Sequence, residues 1–363
     1  MPSKLKITYD DEKNRIAGYD VTVSSGESSI EYVYGGNGYD PDMVTGVKVD
    51  GTQLLNYTYD GLNRLKSRIV NGYTTEYTYL QGKTADRTTT LVQTVKNGND
   101  ILSYTYDVLG NITSVSKNGT VIESYTYDNL NQLKTVTRGY DVYTYNYDNG
   151  GNIQNVKKNG TTIKTYDYEE IGIWNDLLTG YNGEVIWYDE IGNPLGYYDG
   201  STFTWSGRKL TGITKGANTI GYTYDANGLR ASKTVNGTTT QYTWLDGRLY
   251  EEKTPSYTLR YIYDESGSYV GFTHIVGATQ NSYYYVYNLQ GDVISIIDSN
   301  GTTVVEYTYD EWGKLLSTSG TLASTIGTLN PIRYRGYYYD IETGFYYCTS
   351  RYYDSEIGRW INA

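Results

Sequence analysis

The chain is poor in the residues that most enzymes and disulfide scaffolds rely on: one cysteine, one histidine, two methionines, three phenylalanines and five prolines in 363 residues. A lone cysteine, Cys348, excludes an intrachain disulfide framework. Around His274 and Cys348 no Asp-His-Ser or Cys-His arrangement can be argued from spacing, and a nucleophile needs an oriented base. His274 therefore reads as a strand residue in Gly271-Phe272-Thr273-His274, and Cys348 as a small packed side chain. No Lys/Arg cluster interrupts a net charge of −11, so a nucleic-acid partner, which needs a basic stripe to neutralise phosphates, is not expected. No run approaches eighteen apolar residues, so no membrane-spanning helix is expected. Met1-Pro2-Ser3-Lys4 lacks the apolar core of a signal peptide, which leaves a cytosolic chain or an export segment outside this sequence.

Tyrosine, in contrast, occurs 46 times. Much of it falls in one cadence, Y-x-Y followed by Asp, as in Tyr104 to Asp107, Tyr125 to Asp128, Tyr145 to Asp148 and Tyr222 to Asp225, with further copies at Tyr57 to Asp60, Tyr261 to Asp264 and Tyr307 to Asp310. The closing acids Asp107, Asp128, Asp148, Glu169 and Asp189 recur about every twenty residues. Such a period signals one supersecondary unit whose copies must stack to bury anything, and it runs nearly end to end. A dry core would favour Phe, Leu and Ile. The excess of Tyr predicts rings near solvent or a polar filling, without a conventional compact core.

Between cadences the chain reads as a hairpin. In Gly110 to Asp128, β-formers flank Asn118-Gly119, the dipeptide best suited to a type I′ turn. A two-residue loop there predicts Val115 opposite Ile122, Ile112 opposite Tyr125 and Gly110 opposite Tyr127. The same rule places Ile153 opposite Tyr166 and Gly151 opposite Tyr168 around Asn159-Gly160, and Ile294 opposite Tyr307 around Asn300-Gly301. A ring over a cross-strand glycine would shield bare backbone. The two rings of Y-x-Y share a face and the central residue, usually Thr, points the other way. The Asp can cap nearby N–H groups and start the return turn. One carboxylate per turn is too few for calcium, so neither metal nor cofactor is expected.

The resulting expectation is an all-β chain, a long antiparallel meander of hairpins. So many strands cannot stay in a flat sheet, and a propeller blade would need twice the period, so the meander should curl into a spiral β-shell or wide barrel. Thr84 to Thr90, Ile171 to Gly180 and Ser317 to Asn330 break the pattern and are candidate insertions.

The Y-x-Y-D copies followed by G-N-I or G-R-L type turns, as in Tyr104 to Ile112, Tyr145 to Ile153 and Tyr222 to Arg230, make the sequence similar to the YD-repeat family. That family includes the bacterial rearrangement-hotspot (Rhs) proteins, the C subunits of insecticidal toxin complexes and the animal teneurins. Residues Pro331 to Ala363 resemble the Rhs-associated core motif that closes the array in bacterial members. The resemblance implies a repeat shell over 1–330, a closing segment over 331–363, and a downstream toxin domain held inside. The core-motif positions it singles out are Arg333, Arg335, Gly336, Tyr337, Tyr339, Asp340, Gly344, Tyr346, Tyr347, Arg351, Tyr352, Tyr353, Asp354, Gly358, Arg359 and Trp360. Many bacterial relatives cleave themselves at D-P-x-G-L after this motif. That sequence does not occur here, so no enzymatic activity is carried over.

Arg333 and Arg335 flank Tyr334 and should share a face of an extended strand, where, with Arg351 and Arg359, stacking and carboxylate pairing would lock the end of the array. Asp340 and Asp354 sit in Y-Y-D turns and read as structural. The function expected is a non-enzymatic encapsulating carrier of a bacterial polymorphic toxin, secreted or at the cell surface, with a C-terminal toxin domain or other polypeptide cargo as partner. The alternative is a surface adhesin that binds glycan through exposed rings at Tyr283, Tyr284, Tyr285 and Tyr287.

Overall fold

The computed structural model describes residues 4–10, 12–23, 25–36, 38–84, 87–169 and 175–362. Met1 to Ser3, Ala85 and Asp86 of the first irregular segment, Ile171 to Trp174 of the second, and Ala363 of the core motif lie outside the described residues. The protein is nearly all β, with 61% of residues in strands, in long antiparallel sheets that do not close into a barrel. Among the described residues most strands pair with the next in sequence, as Ile112–Lys117 does with Thr120–Tyr127 and that strand with Leu133–Arg138, and the strands fall into three sheets.

The hairpin rule holds next to the turn and then slips. Asn118 and Gly119 have φ of 52° and 83°, as the type I′ turn requires. Lys117 pairs with Thr120 and Ser116 with Val121 as predicted. A β-bulge follows, so Val115 pairs with Glu123 instead of Ile122, and the predicted contacts of Ile112 with Tyr125 and Gly110 with Tyr127 do not form. The hairpin at Asn159-Gly160 slips in the same way: Lys158 pairs with Thr161, but Val156 pairs with Lys164. Asn300-Gly301 is not a two-residue loop. The turn there runs from Asp298 to Thr302, although Ser295 opposite Glu306 keeps the predicted register. Gly110 and Gly151 lie under no tyrosine. Both are turn residues, with φ of 87° and 88°, where an amide must face back to the closing Asp carbonyl.

The Asp capping is borne out. Asp107 Oδ1 accepts from the amides of Leu109 and Asn111 at 2.9 Å each, Asp128 repeats this on Leu130 and Gln132 at 2.9 Å each, and Asp225 on Asn227 and Leu229. The side-chain amide of Asn111 and those backbone amides hold Asp107 below the usual carboxylate pKa.

A second bulge recurs at the second ring of the cadence, between Thr126 and Tyr127, Asn146 and Tyr147, Thr58 and Tyr59, and Thr308 and Tyr309. There the tyrosine hydroxyl donates to the carbonyl of the residue that opens the preceding strand: Tyr127 to Ile112 at 2.8 Å, Tyr147 to Leu133 at 2.7 Å, Tyr309 to Val293 at 2.9 Å. Where the ring is Trp, the indole N–H does the same, Trp205 to Pro194 at 2.6 Å and Trp244 to Arg230 at 2.7 Å. Bulges leave backbone groups without ladder partners, and a ring with a polar tip supplies one. Phe cannot, which explains the ratio of the two residues. On the opposite face the central residues bond across strands, Thr126 with Thr135 at 2.7 Å and Thr105 with Ser114 at 2.7 Å.

The chain divides into two compact units, residues 1–77, 96–98 and 222–350 in the first, and 78–95, 99–221 and 351–363 in the second. The first corrects the expectation of a coreless sheet. Strands spanning Arg15 to Val70 pack face to face with strands spanning Arg248 to Ile297, burying Val47, Leu55 and Val270 completely beside Tyr19, Tyr32, Tyr57 and Tyr284. The second buries Leu102, Val115, Val136 and Val156 with Tyr104, Tyr145 and Tyr166 along its strands.

Candidate functional site

Within the first unit the core-motif residues 331–350 are seated by buried charge. Arg333 and Arg335 do not share a strand face. Tyr334–Gly336 is a single 3-10 turn in which Arg335 has φ of 55°, so the two guanidinium groups diverge. Arg333 is buried, donates to the carbonyls of Asn330 and Gly327 at 3.1 Å each, and lies 4.4 Å from the Tyr339 ring centre. Arg335 donates to the Gln290 carbonyl at 2.8 Å and pairs with Asp292. Tyr339 pairs with Tyr346, whose hydroxyl donates to the Gly313 carbonyl at 2.9 Å. Gly336 and Gly344 turn the chain at positive φ, and Tyr337 closes the 3-10 turn through its amide.

Asp340 is completely buried and accepts from Arg230 at 2.5 Å and Lys233 at 2.9 Å; Lys233 also reaches Glu342 at 2.9 Å. Four rings surround the Arg230 guanidinium, with centres at 5.4 Å (Tyr222), 4.8 Å (Tyr242), 4.6 Å (Tyr338) and 4.4 Å (Tyr347). Tyr338 and Tyr261 donate to Glu252 at 2.9 and 3.2 Å. Burial pushes Asp340 upward, but Arg230 and Lys233 outweigh it and hold the carboxyl below its ordinary value. Burial raises Glu252, which has only hydroxyl partners. Sequence reasoning missed Arg230, Lys233 and Glu252. A signal existed: Arg230 and Lys233 stand five and eight residues after Asp225, where other repeats place Ile112 and Val115, Leu133 and Val136, or Ile153 and Val156.

Within the second unit, residues 351–362 lie along a different set of groups. Asp354, 2% exposed, accepts from Tyr198 at 2.9 Å and from the Glu356 amide at 2.8 Å. The neighbouring acids have lysines, Glu356 with Lys164 and Asp199 with Lys215, but among the described residues Asp354 has none, and burial raises its pKa to about 6. Arg359 donates to the carbonyl of Asp176 at 2.8 Å and to the Tyr168 hydroxyl at 3.3 Å. Trp360 meets Tyr353 edge to face and carries Arg351 over its ring. Tyr352 is buried and Gly358 turns at φ of 69°. A cleft of about 520 Å³ opens beside Trp360, Tyr188 and Asn362.

The remaining candidates are structural. Tyr283, Tyr284 and Tyr285 are buried, Tyr285 donating to Asn330 at 2.6 Å, and Tyr287 is half-buried with its hydroxyl on the Tyr269 carbonyl. An exposed aromatic row for a sugar is therefore not what this strand presents. His274 sits in strand Tyr269–Val276 beside the Tyr257 ring, and Cys348 has its sulfur near the Tyr346 carbonyl. Among the described residues no cluster of His, Cys, Asp and Glu has the makings of a metal site.

The fold is a long antiparallel repeat array in which residues 331–350 are seated by buried charge. The Teneurin YD-shell family profile matches residues 88–363, and the chain belongs to that family. It is 39% identical over 170 residues to the tRNA nuclease WapA of Bacillus subtilis, covering 44% of this chain and 7% of that protein. It is 26% identical over 167 residues to the double-stranded DNA deaminase toxin A of Burkholderia cenocepacia, covering 39% of this chain and 12% of the relative. The fold is shared with a TcdB2-TccC3-Cdc42 crystal structure at a TM-score of 0.77, with 18% identity over 99% of this chain and 20% of that one. The Photorhabdus luminescens Tc holotoxin pore matches at 0.69 with 19% identity, again over 99% of this chain and 20% of the other. The chain thus spans a small part of the proteins it matches.

Proposed function

We propose that this chain is a non-enzymatic wall of an encapsulating shell, a carrier for a bacterial toxin or other polypeptide cargo that acts outside the producing cell. Membership of the YD-shell family carries this reading. The relatives add support: a tRNA nuclease and a DNA deaminase toxin have different named activities, yet each shares a stretch amounting to 7% or 12% of its length with this chain, as expected of a common carrier segment. The mechanism is steric. The interior strands of each sheet, paired on both sides, offer no open edge to a cargo chain, and half-buried tyrosines offer it rings and hydroxyls without sequence preference. Residues 331–363 would close the array, with Arg230, Lys233 and Asp340 as the clamp of that segment in the first unit.

Small-angle scattering from the purified chain, with an electron-microscopy envelope, tests enclosure. A hollow particle is expected, and a solid rod would overturn the carrier reading. Intact-mass measurement over several days tests the non-enzymatic part, because a self-cleaving chain would lose its parent mass.

A further inference from the structure

The cleft in the second unit holds two groups that lack partners of opposite kinds. At its mouth, Arg351 is exposed and stacks on Trp360, 4.1 Å from guanidinium carbon to ring centre; among the described residues that is its sole interaction. Deeper, Asn362 is 7% exposed; its amide nitrogen reaches the Arg208 carbonyl at 3.5 Å, while its buried Oδ1 accepts from none of the described residues. A buried acceptor without a donor is unfavourable, so the Asn362 Oδ1 favours an incoming N–H or O–H. The lining is mixed: Leu178, Ile357 and Ile361 form an apolar strip, Tyr188 and Asp176 lie beside it, and Arg359 is already held by the Asp176 carbonyl and the Tyr168 hydroxyl. The volume, about 520 Å³, lies within the range of pockets that take small ligands.

With Arg359 already engaged, one free cation and one orphan acceptor beside an apolar strip leave too few convergent donors for a nucleotide phosphate and too few open polar partners for a sugar. They do suit a peptide unit. We propose that this cleft binds a carboxylate-bearing stretch of polypeptide, with the carboxylate on Arg351, a backbone N–H on Asn362 Oδ1, and an apolar side chain against Leu178, Tyr188 and Trp360. The carboxylate has two sources, an acidic side chain within a chain or a free C-terminus. The site is read from the cleft alone; only its use as a tether for enclosed cargo rests on the carrier reading, so an empty cleft in a hollow particle would remove the tether and leave the shell.

Two probes separate the sources: acetyl-Leu-Asp-Leu-amide and acetyl-Leu-Leu with a free carboxyl, titrated calorimetrically into the whole chain. One of them should bind one to one, and Arg351→Gln should weaken it by about tenfold or more, the order expected for losing one charge-assisted hydrogen bond. Arg351 is exposed, so this variant keeps the fold. Asn362→Leu should abolish binding and raise the melting temperature of the free chain, since it removes the orphan acceptor. If Asn362→Leu fails to fold, Arg351→Gln decides alone. The proposal is overturned if neither peptide saturates the chain by about 1 mM, or if Arg351→Gln binds as tightly as the parent.

Discussion

Tyr127 explains at the scale of one side chain why this protein uses tyrosine where others use phenylalanine. Its hydroxyl supplies the Ile112 carbonyl with a hydrogen bond at the bulge, and the same pairing recurs at Tyr59, Tyr147, Tyr168 and Tyr309. Tyr127→Phe keeps the ring and removes the donor, so it should cost about 1 kcal/mol, near the net worth of a partly buried hydrogen bond, read as a lower urea midpoint at unchanged slope. Arg230 is the opposite case. Arg230→Met leaves Asp340 buried with Lys233 as its remaining partner, and should cost about 3–5 kcal/mol. Replacing Arg230, Lys233 and Asp340 together with Ile, Val and Leu should cost less than the single change, because no completely buried carboxylate is then stranded, and Glu342, which loses Lys233, is only partly buried. A triple variant less stable than Arg230→Met would refute that account.

At the scale of the hairpin, sequence and structure part company at identifiable residues. The period, the Asn-Gly turns at 118 and 159 and the capping aspartates were legible because each rests on local backbone chemistry. The bulges were not. One extra residue such as Ile122 leaves the twenty-residue period intact while moving every later pair by one, and no propensity marks it. Asn300-Gly301 repeated the dipeptide but not the turn, because Asp298 two residues earlier caps the loop instead. A measurable difference follows. Asn118 takes φ of 52°, accepts from the Ile101 amide at 2.8 Å and donates to Asp100 at 2.9 Å, clasping the neighbouring hairpin. Asn300 donates weakly to Asp298 at 3.4 Å. Asn118→Ala should therefore destabilise by about 1–2 kcal/mol more than Asn300→Ala, through left-handed strain and lost bonds; equal effects in thermal melts would contradict it. The charged clamp was legible in principle, since Arg230 and Lys233 replace apolar residues at fixed offsets. The orphan acceptor of Asn362 was not, since the cleft around it and the Arg208 carbonyl that holds its amide nitrogen come from distant sequence.

For the molecule as a whole, these carboxylates set opposite pH limits to stability. Asp60, Asp107, Asp148, Asp189 and Asp340 are held below the ordinary carboxylate value. Their contribution is present above the unfolded pKa of 3.8 and is lost as pH falls through their lower folded values. Asp354 runs the other way, as does Glu252, whose carboxyl burial also raises. The pKa of Asp354 rises from 3.8 to about 6 on folding, so its contribution is complete below pH 3.8 and is lost as pH rises through about 6. Two pK units correspond to about 3 kcal/mol, from a group that is 2% exposed. Thermal stability should accordingly peak at about pH 4–5.5 and decline towards pH 7. Asp354→Asn keeps the hydrogen-bonding shape without the charge. It should lessen the decline on the neutral side of the curve, raising stability at pH 7, and leave the acid side, which belongs to the capping aspartates and Asp340, unchanged. Calorimetric melts of the two proteins from pH 3 to pH 8 decide the matter: if the curves run parallel throughout, Asp354 is not the group that limits the fold at neutral pH.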